Sequence, residues 1–395
     1  MTHKVKFISY FLPAFLIIMS LPALAVTPAS SGAPSGKQST PIASAYGEHA
    51  QAVVGVLQQW YTQENGLYRT TGWWNSANAI TALANYSRIS HSTAYLPIFA
   101  NTLQAAQTAH DGFPGFINDY YDDEGWWALA WIDVYDLTGD TQYLQTAASI
   151  FEDMQLGWDT KTCGGGVWWS KKTRGKNAIE NELFLAVAAS LANRAATPEQ
   201  RQRYLDWAQK EWVWFHNSGM INKDHLINDG LSKVDPAHCT NNKGTTWTYN
   251  QGVILGALVE LNKAAPDPKL KKMAAAIALS AIKYLTDDQG VLREPIKAHI
   301  GGDAPQFKGI FSRNLMLLNS AFPNRRYKSF ARANAQSIWG KDKNESNQFG
   351  FFWAGPFDLA DASRQSSALD GLIAAAIFDF SKHGTMPPAV SSTTR

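Results

Sequence analysis

The sequence predicts an all-α fold, an (α/α)6 barrel of six helical hairpins, on the evidence of two alternating kinds of segment. Six segments open with aromatic, amide or small residues, continue as apolar helices rich in Ala and Leu, and recur roughly every 50 to 70 residues. Between them lie helices with Lys, Arg, Glu and Gln on one face, as in solvent-facing helices. No long alternation of Val, Ile and Thr indicates a major sheet. The recurrence exceeds the about 34 to 47 residues of ordinary solenoid repeats, which favours a closed ring over an open α-solenoid.

The helices are predicted in chain order from these two kinds of segment. The first outer helix is expected over Tyr46–Tyr61. The inner helices begin at segments marked by Trp73, Trp126, Ala178, Tyr249, Gly309 and Ala368. Further outer helices are expected over Thr141–Gln155, Pro198–Phe215, Pro268–Leu285 and Arg325–Trp339. In such a ring all inner helices start at one end, so the polar and aromatic residues that open them converge there.

The two ends of the chain differ in composition from its middle. Basic residues, an apolar stretch and Ala23-Leu24-Ala25 predict a cleaved signal peptide over residues 1–25, with an uncleaved anchor as the alternative. We therefore expect a secreted protein. Residues 26–44, rich in Pro, Ser and Gly, are typical of a flexible linker. The barrel domain is expected over residues 45–383, followed by a polar tail over 384–395, with no later segment apolar enough to span a membrane.

Composition excludes several classes of function. A formal net charge of +2 gives no reason to expect a nucleic-acid partner. No C-x-x-C or H-E-x-x-H motif is present, so we expect no metal and no cofactor. The two cysteines, Cys163 and Cys239, either form a disulfide or stay reduced and packed, and both readings stay open. We expect a monomer.

Asp122 and Asp123 are the strongest candidates for catalysis. They lie between a tyrosine pair and a tryptophan pair in the stretch Tyr120–Trp127. Carboxylates can attack an anomeric carbon and carry a proton to a leaving oxygen. The alternative is an acidic first helical turn that favours the helix dipole. Neighbours in one helical turn suit the carboxyl separation of about 5–5.5 Å in retaining glycosidases better than the about 6.5–9.5 Å of inverting ones.

Other residues near the inner-helix starts are candidates for substrate binding. They are Tyr121, Trp126, Trp127, Asn181, Asp229, Tyr249 and Asn250. Because neighbours on a helix diverge by about 100°, one of the two tryptophans is expected to face the groove and the other the core. Asp229 could bind sugar hydroxyls or cap a turn. Arg313 and Arg364 are charges on apolar helices, and either steadies Asp122 or bridges helices.

The stretch Tyr-Tyr-Asp-Asp-Glu-x-Trp-Trp-Ala-Leu-Ala-Trp resembles glycoside hydrolase family 76, the endo-α-1,6-mannanases. The resemblance extends to Cys163–Trp169, Lys176–Leu183, Thr248–Gly252 and Phe307–Phe311. It implies an (α/α)6 barrel and retaining hydrolysis of α-1,6-mannoside backbones. It further implies that Asp122 is the nucleophile, that Asp123 is the acid/base, and that the substrate is α-mannan or an α-1,6-manno-oligosaccharide.

Three other functions fit the same barrel. A mannan transglycosidase is one, although the family members thought to act so carry a lipid-anchor tail that this chain lacks. A non-catalytic glycan-binding protein is another, and two intact carboxylates argue against it. A sugar epimerase or an unsaturated-uronide hydrolase is the third. Epimerases of that type depend on paired histidine bases, and no histidine lies at a predicted inner-helix start. The sequence therefore favours a secreted retaining hydrolase.

Overall fold

A computed structural model describes residues 45–109, 112–235, 238–295 and 302–380. The predicted signal peptide, linker and polar tail lie outside the described residues, as do residues 381–383 of the predicted barrel domain. No helix within the described ranges is long and apolar enough to cross a bilayer.

Twelve helices make up nearly all the regular structure of the described residues, and they alternate between an outer and an inner layer. The outer helices are α1 (Ala45–Leu57), α3 (Leu96–Ala105), α5 (Thr141–Met154), α7 (Pro198–Asn217), α9 (Pro268–Tyr284) and α11 (Arg325–Lys341). The inner helices are α2 (Trp73–Ser90), α4 (Tyr121–Thr138), α6 (Ala178–Arg194), α8 (Thr248–Ala264), α10 (Phe307–Ala321) and α12 (Ala362–Phe380). The predicted all-α class is confirmed.

The inner helices close into a ring. Each inner helix packs against the next along the chain, and the last, α12, packs against the first, α2. The outer helix α1 covers α12 and so bridges the two ends of the fold. The (α/α)6 barrel is therefore confirmed, and the open solenoid is excluded.

Burial explains the difference between the two layers. Every residue of α6 from Ala178 to Ala192 is buried, because an inner helix has neighbours on all sides. The outer helices bury one face only. Four of them, α5, α7, α9 and α11, begin at a side chain that accepts a hydrogen bond from the first helical turn. The four capping residues are Asp140, Thr197, Asp267 and Asn324.

The loops before the inner helices carry the remaining structure. The predicted first helix stops at Leu57, because Tyr61 instead pairs with Tyr68 in the short hairpin of β1 (Tyr61–Thr62) and β2 (Leu67–Tyr68). A second hairpin joins β3 (Leu231–Lys233) and β4 (Cys239–Asn241). Cys163 and Cys239 form a disulfide, which settles the question that the sequence left open. The bond ties the loop before α6 to the hairpin before α8.

Candidate active site

A cleft of about 390 Å³ lies at the end of the barrel where the inner helices start. Its lining comes from five inner-helix starts and from the loops that precede them. The lining residues are Trp74, Tyr120, Asp122, Asp123, Trp126, Trp169, Asn177, Ile179, Asp229, Tyr249, Asp303 and Phe307. Five of the nine site residues predicted from sequence are therefore brought together here.

The start of α4 presents the two aspartates. Tyr120 is the extended residue before the helix, and Asp122 and Asp123 lie in the first turn, half-buried. The Asp122 carboxylate accepts a hydrogen bond from the indole N–H of Trp169 at 3.0 Å and one from the backbone N–H of Asp123 at 3.0 Å. The Asp123 carboxylate accepts a bond from the side-chain amide of Asn118 at 2.7 Å. Each carboxylate is thus held by its own donors.

Two opposing effects act on the ionisation of Asp122. Burial raises its pKa to about 6, and the hydrogen bonds from Trp169 and from the backbone partly offset that rise. The nearby charge of Asp303 raises it further. Although burial raises it, the pKa of Asp122 stays below 7, so its carboxyl group is mainly ionised at neutral pH, which is the form that a nucleophile requires.

Aromatic rings form the floor of the cleft. The ring of Trp126 lies 5.7 Å from that of Trp74 and 6.4 Å from that of Tyr249, and both pairs are nearly parallel. Tyr249 in turn stacks on Phe307 with 3.8 Å between ring centroids. Four inner helices contribute one ring each, so the floor runs across the bore of the barrel. A second cavity of about 410 Å³ lies in the bore, and Trp126 lines it too.

Asp229 approaches the cleft from the loop before β3. Burial raises its pKa, and a hydrogen bond with Trp247 lowers it in part. Its charge also contributes to raising the pKa of Tyr249, whose phenol is buried among several carboxyl groups. Asp229 therefore adds a further carboxyl group to the lining of the cleft.

Four predicted site residues do not line the cleft. Trp127 packs against Phe116 and Trp131 in the core and is fully buried, so the groove-facing member of the tryptophan pair is Trp126. Tyr121 is buried against Gly157.

The two predicted asparagines are also buried. Asn181 uses its amide to hold the backbone of Val167, accepting from its N–H at 2.7 Å. Asn250 is fully buried, with neither amide atom hydrogen-bonded. Both residues lie near the starts of inner helices, but neither lines the cleft.

Arg313 and Arg364 bridge structural elements and do not contact Asp122. Arg313 of α10 pairs with Asp370 of α12 at 3.0 Å and also bonds Asn78 of α2. Arg364 pairs with Asp361, just before its own helix. Of the two roles that the sequence left open, Arg313 shows the bridging of helices, whereas the partners of Arg364 lie in the segment before its own helix.

The cleft also contains polar residues that were not predicted as site residues, among them Trp169, Asn177 and Asp303. Trp169 ends the Gly-rich segment Cys163–Trp169. Asp303 accepts a hydrogen bond from the indole of Trp74 at 3.3 Å. The available signal for Trp169 was the Trp-Trp pair after the glycines, which parallels the pair after Asp123.

This arrangement suits transfer of a glycosyl group. Two carboxyl groups share one helical turn, one of them ionised at neutral pH, above a row of ring faces on which a sugar can pack. A third carboxyl group lies across the cleft. Within the described ranges, no group of three or more His, Cys, Asp or Glu side chains is placed to hold a metal ion.

Comparison with known proteins identifies similar sequences. The model for glycosyl hydrolase family 76 matches residues 42–386. Mannan endo-1,6-alpha-mannosidase DCW1 of Saccharomyces cerevisiae is 26% identical over 329 residues, covering 76% of this chain and 71% of the yeast protein. The protein of the same name from Candida albicans is 25% identical over 273 residues, which are 64% of this chain and only 59% of that relative's length.

Solved structures share the fold. An inactive variant of the alpha-1,6-mannanase GH76A of Salegentibacter sp., with two consecutive aspartates replaced by alanine and alpha-1,6-mannotetrose bound, superposes with a TM-score of 0.75 at 23% identity, covering 85% of this chain and 99% of that one. Dfg5 from Chaetomium thermophilum in complex with glucosamine gives a TM-score of 0.75 at 18% identity, covering 90% and 95%. At these identities the likeness shows a common fold.

Proposed function

Because the chain belongs to glycosyl hydrolase family 76, we propose that it is a retaining glycoside hydrolase that cleaves α-1,6-mannosidic linkages in mannan. The observation that carries the proposal is the pair Asp122 and Asp123 in the first turn of α4, above the aromatic floor of the cleft. The names of the relatives, which are mannan endo-1,6-alpha-mannosidases, support the choice of substrate.

The reaction has two steps. In the first, an Asp122 carboxylate oxygen attacks C1 of the mannosyl unit, the bond from C1 to the glycosidic oxygen breaks, and Asp123 gives its proton to that oxygen. In the second, Asp123 takes a proton from water, the water oxygen bonds to C1, and the bond to Asp122 breaks. Two inversions at C1 restore the α configuration.

The Salegentibacter mannanase supports the assignment of the pair. Its inactive variant carries replacements at two consecutive aspartates. This chain has two Asp-Asp pairs, Asp122-Asp123 and Asp287-Asp288. Only the first lines the cleft, since the second follows the outer helix α9.

The first prediction is that Asp122→Asn and Asp123→Asn each reduce hydrolysis of α-1,6-mannan by at least about 100-fold, because each carboxyl group has a chemical role. Far-ultraviolet circular dichroism should show the same helix content as the parent protein. NMR of the first product formed by the parent should show α-mannose before mutarotation.

Two outcomes would contradict this proposal. Near-native turnover by either variant removes that residue from the mechanism. A β-configured first product means single displacement, with the base to be sought at Asp229. If the mannosyl group is transferred to an oligosaccharide acceptor rather than to water, the chain is a transglycosidase instead.

We further propose that the protein acts outside the cell, with cleavage of the signal peptide after Ala25. The bonded pair Cys163–Cys239 supports an oxidising compartment. N-terminal sequencing of the exported protein should begin at Val26, and an intact N-terminus would contradict the proposed cleavage.

A further inference from the structure

A short extended segment, Trp169–Lys171, runs beside the chain that enters α4. Tyr120 and Ser170 form an antiparallel bridge. The backbone N–H of Tyr121 donates to the carbonyl of Trp169 at 3.1 Å, and that of Lys171 donates to the carbonyl of Asp119 at 2.9 Å. The side chains of Trp169 and Lys171 both reach the first turn of α4, since Trp169 bonds Asp122 and Lys171 bonds Glu124.

Lys171 reaches the third acid of the Asp-Asp-Glu motif. Its ammonium donates to Glu124 Oε1 at 2.7 Å and pairs with Asp153 at 2.7 Å. The same Glu124 oxygen accepts the backbone N–H of Asn118 at 3.2 Å. Glu124 is fully buried, so these bonds fix Asn118 against the first turn of α4.

The orientation of the Asn118 side chain follows from its partners. Its Oδ1 accepts the backbone N–H of Tyr120 at 2.8 Å. Only the carbonyl oxygen of an amide can accept that bond, so the NH₂ group must face the other way. There it donates to Asp123 Oδ2 at 2.7 Å. Asn118 itself is 3% exposed, which leaves the amide little freedom to turn.

We propose that Asn118 is the positioning residue for Asp123, held in place by Glu124 and Lys171. The inference rests on the proposed role of Asp123 as the acid/base. Because Asn118 donates to Oδ2, the proton that Asp123 transfers is placed on Oδ1. The segment Trp169–Lys171 then serves both carboxyl groups, since Trp169 bonds Asp122 directly and Lys171 acts on Asp123 through Glu124 and Asn118.

The test compares two substrates that differ in their need for a proton. α-1,6-Mannotetraose has a sugar leaving group that must be protonated, whereas a 2,4-dinitrophenyl α-1,6-mannobioside has a leaving group that departs as an anion. We expect Asn118→Ala to lower kcat/KM for mannotetraose by about 100-fold. For the dinitrophenyl substrate the loss of kcat/KM should stay below about tenfold. This parameter reports only the first step, in which Asp123 acts as acid, and the dinitrophenyl group needs no proton to leave in that step.

Glu124 offers a second, conservative test. Burial raises its pKa to about 9, so a neutral glutamine is a close substitute at neutral pH. Its carbonyl oxygen can still accept from Asn118 and Lys171. We expect Glu124→Gln to restore most of the mannotetraose activity that Glu124→Ala loses. If both variants lose it equally, the chain of contacts from Lys171 to Asp123 does not act as proposed.

The matched control is Asn334→Ala. Asn334 is a buried asparagine of α11 that does not line the cleft, and its amide makes three bonds to the backbone of Gly290, Leu292 and Phe330. This variant should lower the melting temperature as Asn118→Ala does but affect both substrates equally. Equal losses on both substrates for Asn118→Ala overturn the proposal. If Asn118→Ala shows no cooperative melt, Glu124→Ala takes its place. If Asp123→Asn itself shows no difference between the substrates, the acid/base role fails rather than the positioning.

Discussion

Among the side chains of the cleft, Trp169 acts most directly on the charge of Asp122, the proposed nucleophile. Its indole N–H bonds the ionised form of Asp122 and offsets part of the effect of burial. A donor to the ionised form lowers the pKa, so its loss must raise it. In the proposed reaction, loss of the Trp169 hydrogen bond therefore raises the lower pH limit of activity.

We expect Trp169→Phe to move the acidic limb of the pH profile of kcat/KM upward by about one pH unit. The donor is charge-assisted and contributes about 1.5–3 kcal/mol, and one pKa unit corresponds to about 1.4 kcal/mol. Activity should therefore fall more at pH 5 than at pH 8. Initial rates on mannotetraose between pH 4 and 9 measure the shift.

Trp168→Phe is the matched control for this prediction. Trp168 is also half-buried, but its ring lies under Arg174 and Lys176 rather than beside Asp122. Its variant should keep the parent profile. An unshifted acidic limb in Trp169→Phe would show that the indole N–H has no influence on Asp122.

At the scale of elements, the loop that carries Trp169 is folded around one ammonium group. The ammonium of Lys176 donates to the backbone carbonyls of Asp159, Gly165 and Gly166. It also lies over the aromatic rings of Trp168 and Trp214. The disulfide from Cys163 attaches the loop to β4. These contacts hold the loop, and with it Trp169, in a fixed position.

The glycines of this loop give a paired prediction. Gly164 and Gly166 both have positive φ, but a Cβ at Gly166 would lie 2.4 Å from the ring of Trp214, whereas one at Gly164 would meet nothing within 4 Å. Gly164→Ala should cost about 1 kcal/mol of unfolding free energy through backbone strain. Gly166→Ala adds overpacking and should cost about 2–4 kcal/mol.

Urea unfolding measures both costs, and activity separates them further. We expect Gly166→Ala to lose mannan hydrolysis as well, because displacing the loop moves Trp169 away from Asp122. Gly164→Ala should keep it. Equal stability and equal activity in the two variants would mean that Trp214 does not constrain the loop.

The sequence predicts helices better than it predicts the residues that meet between them. The alternation of apolar and amphipathic segments predicted the inner-helix starts, because a helix buried on all sides must be apolar on all sides. The about 100° between neighbours on a helix also predicted that the side chains of Trp126 and Trp127 diverge. It could not show which one faces the cleft, since the packing of Trp127 on Phe116 sets the rotation of α4.

The missed residue Trp169 and the wrongly predicted residue Asn181 share one cause. Trp169 reaches Asp122, 47 residues away in sequence, only because its segment pairs with Asp119–Tyr121. Asn181, predicted to bind substrate, instead serves the backbone of Val167. Loop pairings of this kind leave no periodic pattern in the sequence.

For the whole molecule, ion pairs in the bore join successive inner helices. Arg88 of α2 pairs with Asp133 of α4 at 3.7 Å. Arg194 of α6 joins Asp136 of α4 to Glu260 of α8, the latter at 2.9 Å. Several of these residues line the second cavity beyond Trp126. Closure of the ring therefore depends on charge pairing as well as on apolar packing.

Removing Arg194 should leave two carboxylates unpaired inside the barrel. We expect Arg194→Ala to lower the free energy of unfolding by about 3 kcal/mol, the order found when one partner of a largely buried pair is lost. Below its melting temperature the variant should keep its activity, because Arg194 lies away from the cleft. Thermal unfolding followed by circular dichroism measures the loss.

Arg203→Ala tests whether burial of the ion pair is the reason for the loss of stability expected in Arg194→Ala. Arg203 pairs with Glu152 at 3.6 Å on the surface, and exposed pairs contribute about 0–1 kcal/mol. An Arg194 variant no less stable than the Arg203 variant would show that pairing in the bore does not hold the ring together.

The packing of α1 on α12 also fixes how the barrel can be tethered. The carbonyl of Val53, late in α1, accepts a hydrogen bond from Gln365 in the first turn of α12, so the two helices are antiparallel. Followed backward along α1 or forward along α12, the backbone leads away from the cleft. A resin, a cell surface or a fusion partner joined directly to the start of α1 or to the end of α12 therefore lies on the side of the barrel opposite the cleft. The cleft then faces away from the attachment point and stays accessible to a large polymer such as mannan, the proposed substrate.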